Sequence, residues 1–247
     1  MNNELIAIIG GTGLTEYDAL QVEKKVAVKT QLGNPSSELI FGRLYEKDVV
    51  FLARHGHPHS VPPHKVNYRA NILALKEAGV TQIIAVNAVG GITPDMIAGA
   101  ICIPDQVIDY THGRLDTFFD GEYRSLDHVD FSYPYDQVLS NKLFDVTKGL
   151  ELNVYKGGVY GATQGPRLET VAEIKRMERD GCDLVGMTGM PEAVLARELN
   201  IPYVCLALVV NPAAGKSSAL ITMDDIRAVI TTGMEDIKKI ISRYLLD

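Results

Sequence analysis

Apolar residues in this chain gather into short unbroken runs, and longer stretches with a three-to-four spacing lie between them. The runs are Leu5 to Ile9, Glu38 to Phe41, Val49 to Leu52, Ile83 to Val86, Ile101 to Ile108, Gly158 to Tyr160, Leu184 to Val185 and Tyr203 to Val210. Short runs rich in β-branched and aliphatic residues predict buried strands. Lys65 to Ala78 sets Val66, Ala70, Leu73, Ala74 and Ala78 on one helical face. Asp136 to Leu150, Glu169 to Arg179, Glu192 to Leu199 and Asp224 to Leu246 keep the same period. Pro191 stands ahead of its helix, where a missing N–H costs nothing, and Asp224 is the expected cap of the last one. No repeat, low-complexity tract or Pro/Gly/Ser-rich linker interrupts the alternation, so residues 1–247 are expected to form a single α/β domain. Thr111 to Tyr135 is the exception, and an irregular connection of that length in a compact domain is usually functional.

Polar groups collect where strands end. Arg54 and His55 follow Val49 to Leu52, Asn87-Ala88-Val89-Gly90-Gly91 follows Ile83 to Val86, Gly10-Gly11-Thr12-Gly13 follows the first strand, and Gly186-Met187-Thr188 follows Leu184-Val185. In α/β sheets ligands bind beyond the carboxyl ends of strands. Glycines there free backbone N–H groups to face an anion, and Arg offers a planar fork of donors suited to phosphate. Taken singly, the Gly10 segment suits a plain turn and Arg54 a surface ion pair equally well, and the Asn87 and Gly186 segments are most often plain turns. Four of them, all rich in donors and poor in acids, favour one shared oxyanion site.

Two familiar phosphate motifs fail. A dinucleotide fingerprint needs glycine at position 16, which is Glu16, and Gly215-Lys216-Ser217 lacks the upstream glycine of a phosphate loop, Val210 standing there instead. His55, His57 and His59 alternate, with His64 close by. On a strand they would share a face and suit a metal, but Pro58, Pro62 and Pro63 favour an irregular loop without acidic or cysteine ligands. No metal site is expected.

Composition narrows the class without naming a chemistry. The 247 residues are 46% hydrophobic and 22% charged, with a net charge of −7 spread along the chain, which argues against nucleic acid or an anionic membrane as a partner. No run approaches the roughly 18 apolar residues of a membrane span. The start lacks a basic segment and cleavage site, so a cytoplasmic protein is expected. Cys102, Cys182 and Cys205 are odd in number and far apart, which suits buried free thiols.

The strings IIGGTGL, FLARHGHPHSVPPHKVNYRANILALKEAGV, NAVGG, TQGPRLETVAEI and GMTGMPEAVLARE resemble the trimeric purine nucleoside phosphorylase and methylthioadenosine phosphorylase family. The resemblance runs in the same order from Leu5 to about Asn211 and continues more weakly through the last helix. It implies a mixed, partly barrel-like central sheet flanked by helices, a homotrimer, and phosphorolysis of a purine nucleoside. Inorganic phosphate would be co-substrate, and no cofactor would be needed. Position by position, Thr12, Arg54, His55, Ala88 (through its backbone) and Thr188 would bind phosphate. Met187 would lie against the ribose, Gln164 to Glu169 would form the base-binding turn, and His128 would reach the 5′ end of the nucleoside in a neighbouring subunit. Asn211, Glu169 and His55 are the residues expected to carry the chemistry.

The base follows from hydrogen-bond inventory. Family members acting on 6-aminopurines carry aspartate where this chain has Asn211. An amide can donate to a 6-oxo group while its carbonyl accepts N7–H, and Glu169 can accept the N1–H found only in 6-oxopurines. RHG followed by HKVNYRANI is the methylthioadenosine branch's form, and Ala219-Leu220-Ile221-Thr222-Met223 lacks the histidine that bonds a 5′-hydroxyl in ordinary members. With Met223 in an apolar patch suited to a methylthio group, the expected substrate is 5′-methylthioinosine, ahead of inosine, guanosine or methylthioadenosine. Leu168 departs from the aromatic residue usual at its position, so base stacking is weaker or supplied differently.

Overall fold

A computed structural model describes residues 4–11, 17, 19–218 and 220–247. The described residues form an eleven-stranded mixed sheet with helices on both faces. In chain order the elements are β1 (Leu5–Gly10), β2 (Leu20–Val26), β3 (Leu39–Leu44), β4 (Lys47–Ala53), α1 (Tyr68–Glu77), β5 (Gln82–Gly91), β6 (Ile101–Ile103) and β7 (Gln106–Asp109). There follow α2 (Gln137–Asp145), β8 (Val154–Lys156), β9 (Val159–Ala162), α3 (Val171–Asp180), β10 (Leu184–Gly186), α4 (Glu192–Glu198), β11 (Tyr203–Pro212) and α5 (Met223–Leu246).

The sheet branches at β5. Its first half pairs in parallel with β1, its other edge pairs in parallel with β11, and Gly90 and Gly91 pair antiparallel with β10. Since β4 is also parallel to β1, four strands point their carboxyl ends the same way. Alternation along the strands divides the core between two faces. Ala7, Ile9, Val50, Leu52, Ile83 and Ala85 pack with α1 and α4, while Ile6, Ile8, Val49, Phe51, Ile84 and Val86 pack with α2 and α5.

Several expected boundaries move, each for a local reason. The run from Ile101 to Ile108 is two strands, because Pro104 cannot donate to a ladder and Asp105 leaves the sheet. Asn87 to Gly91 is not a turn; it continues β5, with Ala207 to Pro212 beside it. The strand expected from Gly158 begins at Val159, and β8 precedes it. β2 shows no apolar run because Gln21 to Lys25 face solvent along the sheet edge. Thr222, not Asp224, caps α5, its hydroxyl accepting from Asp225 N at 3.2 Å. Asp224 and Asp225 occupy the first turn, where a carboxylate meets the positive end of the helix dipole. The 111–135 stretch contains no helix or strand, as expected.

Candidate active site

A cavity of about 410 Å³ opens at the carboxyl ends of the parallel strands, within the size range of small-molecule sites. Gly11, Arg54, His55, Val86, Ala88, Val89, Gly90, Thr188 and Asn211 line it. Pairing makes the opening: β1 matches β5 only as far as Ala85, and β10 joins only at Gly90. One edge of β5 is therefore unpaired from Val86 to Val89. Arg54 takes the Val86 carbonyl there, Nη1 to O, at 2.9 Å. Peptide groups alternate edges along a strand, so the Ala88 N–H points to the same open edge. Ala88 is the exposed residue in an otherwise buried strand.

Arg54 is almost wholly buried, and its fork is turned to Glu192. Nε and Nη2 each donate to a Glu192 oxygen at 2.7 Å, and Tyr203 Oη donates to the same carboxylate at 2.9 Å. Burial pulls the guanidinium's pKa down, the Glu192 charge more than reverses it, and the net shift is upward. The fork is thus not open for bidentate capture of phosphate, and one Nη1 N–H remains for the cavity. A buried pair of this kind is costly to break singly, by about 3–5 kcal/mol. Nη2 also reaches Asn87 Oδ1 at 3.5 Å, which turns the Asn87 amide nitrogen toward Thr188 Oγ1 at 2.7 Å. Because the Thr188 oxygen accepts from Asn87, its own hydrogen is left to donate into the cavity.

His55 Nδ1 lies 2.8 Å from the Val61 carbonyl, and its ring stacks on His59 with centroids 4.4 Å apart. The alternating histidines therefore form a loop that folds back on itself. Among the described residues no three of His, Cys, Asp and Glu converge as a metal site. Cys102, Cys182 and Cys205 are free and buried.

The opposite wall carries Pro166, Leu168, Glu169 and Met187. Glu169 Oε1 accepts from Thr163 Oγ1 at 2.6 Å, and no bond to its second oxygen is found among the described residues. Asn211 Nδ2 donates to the Pro212 carbonyl at 2.7 Å, which leaves one amide hydrogen and Oδ1 for a ligand. The far end is apolar: Val210, Ile221, Met223, Ile226, Ile230 and Met234, mostly from the first turns of α5.

Of the expected site residues, Arg54, His55, Ala88, Leu168, Glu169, Met187, Thr188, Asn211 and Met223 thus line one cavity. Thr12 lies outside the described residues. His128 sits on the exposed 111–135 stretch and does not line the cavity of its own chain. The sequence reading missed Glu192, which looks like an ordinary first-turn acid of α4, and Tyr160, which is wholly buried beneath Gly186 and Gly189. It also missed Arg114, whose bonds run to backbone carbonyls and leave no spacing to read.

A family model described as "Phosphorylase superfamily" matches residues 5–246. A "Probable S-methyl-5'-thioinosine phosphorylase" of Pseudomonas syringae pv. tomato is 55% identical over 239 residues, 97% of each chain. A 6-oxopurine nucleoside phosphorylase of Pyrococcus furiosus is 44% identical over 96% of this chain and 90% of its own. Among solved structures, methylthioadenosine phosphorylase of Schistosoma mansoni in complex with adenine superposes with a TM-score of 0.93 at 28% identity, covering 98% of this chain and 91% of that one.

Proposed function

The chain belongs to the phosphorylase superfamily, and from that premise we propose that it cleaves 5′-methylthioinosine with inorganic phosphate to hypoxanthine and 5-methylthioribose 1-phosphate. A phosphate oxygen bonds to the anomeric carbon, the carbon–N9 bond breaks, and its electron pair leaves with the purine. Positive charge grows on the sugar and negative charge on the base, so the reaction needs positioning and preorganised dipoles more than a covalent nucleophile. The Thr188 hydroxyl, the Ala88 N–H, the remaining Arg54 N–H and His55 supply the phosphate wall, and the family resemblance assigns Thr12 to the same task. Phosphate serves as nucleophile and as counter-charge to the sugar cation, and the reaction calls for no cofactor. The active form is a homotrimer, with His128 reaching the 5′ end of a nucleoside in a neighbouring copy.

One observation carries the choice of base: Asn211 and Glu169 reach the same cavity, each with one polar group held by the protein and another left over. Those leftovers match the 6-oxo, N7–H and N1–H groups of hypoxanthine. A 6-aminopurine would leave a buried group unpaired, at a cost of about 1–3 kcal/mol each. The apolar far end of the chain's own cavity favours a methylthio group over a 5′-hydroxyl, which would meet only apolar side chains on that wall. A general 6-oxopurine nucleoside phosphorylase is the second reading, favoured by the likeness to the Pyrococcus furiosus protein.

Phosphorolysis of methylthioinosine, methylthioadenosine, inosine and adenosine, with and without phosphate, tests the proposal. Methylthioinosine is expected to give the highest kcat/KM, and only with phosphate present. Better turnover of methylthioadenosine would overturn the base assignment, and equal turnover of inosine would favour the second reading. Asn211→Asp is expected to move the preference toward 6-aminopurines by about tenfold or more; an unchanged ratio removes Asn211 from this role.

A further inference from the structure

We propose that Arg114 is a positioning residue that sets the separation of the two protein segments facing the nucleoside, and so governs nucleoside affinity and base discrimination. The proposal takes from the reading above only the identity of the ligand.

A guanidinium carries five N–H groups, and all five find acceptors here. Nε donates to Gln164 Oε1 at 3.1 Å, Nη1 to the carbonyls of Met187 at 2.9 Å and Met190 at 2.6 Å, and Nη2 to the carbonyls of Thr163 at 3.1 Å and Gln164 at 2.9 Å. Three of these acceptors belong to the start of the 163–169 turn and two to the segment after β10. Those are the segments that present Glu169 on one side and Met187 on the other. They meet at Gly165, which has φ of 60° and where an added Cβ would lie 2.5 Å from Met187 Sδ. Among the described residues no carboxylate pairs with Arg114. Four of its five N–H groups are spent on backbone carbonyls of the two segments, and the fifth on the Gln164 side chain.

Arg114 also reaches α1, Nη1 donating to Tyr68 Oη at 3.4 Å, but the 111–135 stretch has further anchors. Arg69 donates to the Thr117 carbonyl at 3.3 Å and pairs with Asp120. Glu198 accepts from Thr117 Oγ1 and from the Phe118 N–H, both at 2.6 Å. The stretch therefore keeps ties to α1 and α4 that do not depend on Arg114. Lysine cannot substitute, because three donors on one ammonium cannot span two segments that the planar fork bridges.

The test measures KM for methylthioinosine and for phosphate separately in Arg114→Ala, Arg114→Lys and, as a control on the same stretch, Arg69→Ala. Both Arg114 variants are expected to raise the nucleoside KM by about tenfold or more. They should also narrow the 6-oxo over 6-amino preference, while the phosphate KM stays within about threefold. Arg69→Ala should leave both constants within the same threefold margin. Low millimolar guanidinium is expected to restore part of the Arg114→Ala loss. A wild-type nucleoside KM in Arg114→Lys overturns the proposal, as does an equal rise in both constants. So does a nucleoside defect in Arg69→Ala as large as that of Arg114→Ala, since it would make loop anchoring the cause. Should Arg114→Ala fail to fold, Arg114→Lys carries the comparison alone. Wild-type enzyme that cleaves no nucleoside would sink the substrate reading and not this one.

Discussion

At His55 the proton's position follows from its neighbours. The Val61 carbonyl can only accept, so the hydrogen of the neutral ring sits on Nδ1 and Nε2 keeps its lone pair. Burial is the largest influence and lowers the pKa, the Arg54 charge lowers it further, and the bond to Val61 opposes both without prevailing. The net result is a pKa pushed down from 6.5 to about 4. A neutral Nε2 can accept from a phosphate oxygen that carries a proton, a task a cationic ring could not perform. The same shift bears on stability, because the unfolded chain takes up a proton in a range where the folded site refuses it. The contribution of His55 is full above pH 6.5 and is lost as the pH falls toward about 4. An NMR titration of the phosphate-free protein, with the resonance identified through His55→Asn, is expected to place His55 well below the ordinary histidine range. The variant should also lose less stability than wild type across that acid window. An ordinary midpoint would remove the neutral acceptor from the mechanism.

Among the elements, β5 and the end of β10 carry Ala88 and Thr188 of the proposed phosphate wall, and Gly186 shows how tightly they are built. A Cβ there would lie 2.1 Å from Tyr160 Oη and 2.9 Å from Val89 Cγ1, and the Tyr160 side chain is wholly buried and unable to yield. Gly186→Ala must therefore push the end of β10, and Thr188 with it, out of line. The expected cost is about 1–3 kcal/mol in stability, read by urea denaturation, with a severalfold rise in phosphate KM. A wild-type phosphate KM would mean that Thr188 does not depend on this packing. Elements such as β1, β4 and β11 were legible because strands buried on both faces read as continuous apolar runs. β2 was not, since Gln21 to Lys25 look like any solvated segment. The tail of β5 was misread because Gly90 and Gly91 signal a turn, whereas here they let β10 and the Met96 carbonyl come close. Arg54, His55, Ala88 and Thr188 could be found from strand position and donor chemistry, whereas Asn211 and Glu169 were reached only through the family resemblance. Arg114 and Glu192 could be found by neither route, because what they do depends on partners distant in sequence that meet only after folding.

Across the whole molecule, the 111–135 stretch faces two ways. Arg114 turns inward to the segments that wall its own cavity, while Leu115, Leu126 and Tyr133 are 67%, 75% and 58% exposed. His128 lies among the exposed residues, so in the proposed homotrimer its site of action is a neighbour's cavity. The first expectation is a solution mass of three chains by light scattering. The second is complementation: His128→Ala impairs the neighbour's site, and Asn211→Ala impairs its own. In a mixed trimer, a site built from the His128→Ala chain regains an intact His128 from an adjoining Asn211→Ala chain. Co-refolded mixtures should therefore exceed the mean activity of the two parent samples on the methylthio substrate. Trimers whose mixture gives only that mean would confine each site to a single chain and remove His128 from it. A monomer that is fully active alone would remove the trimer as well.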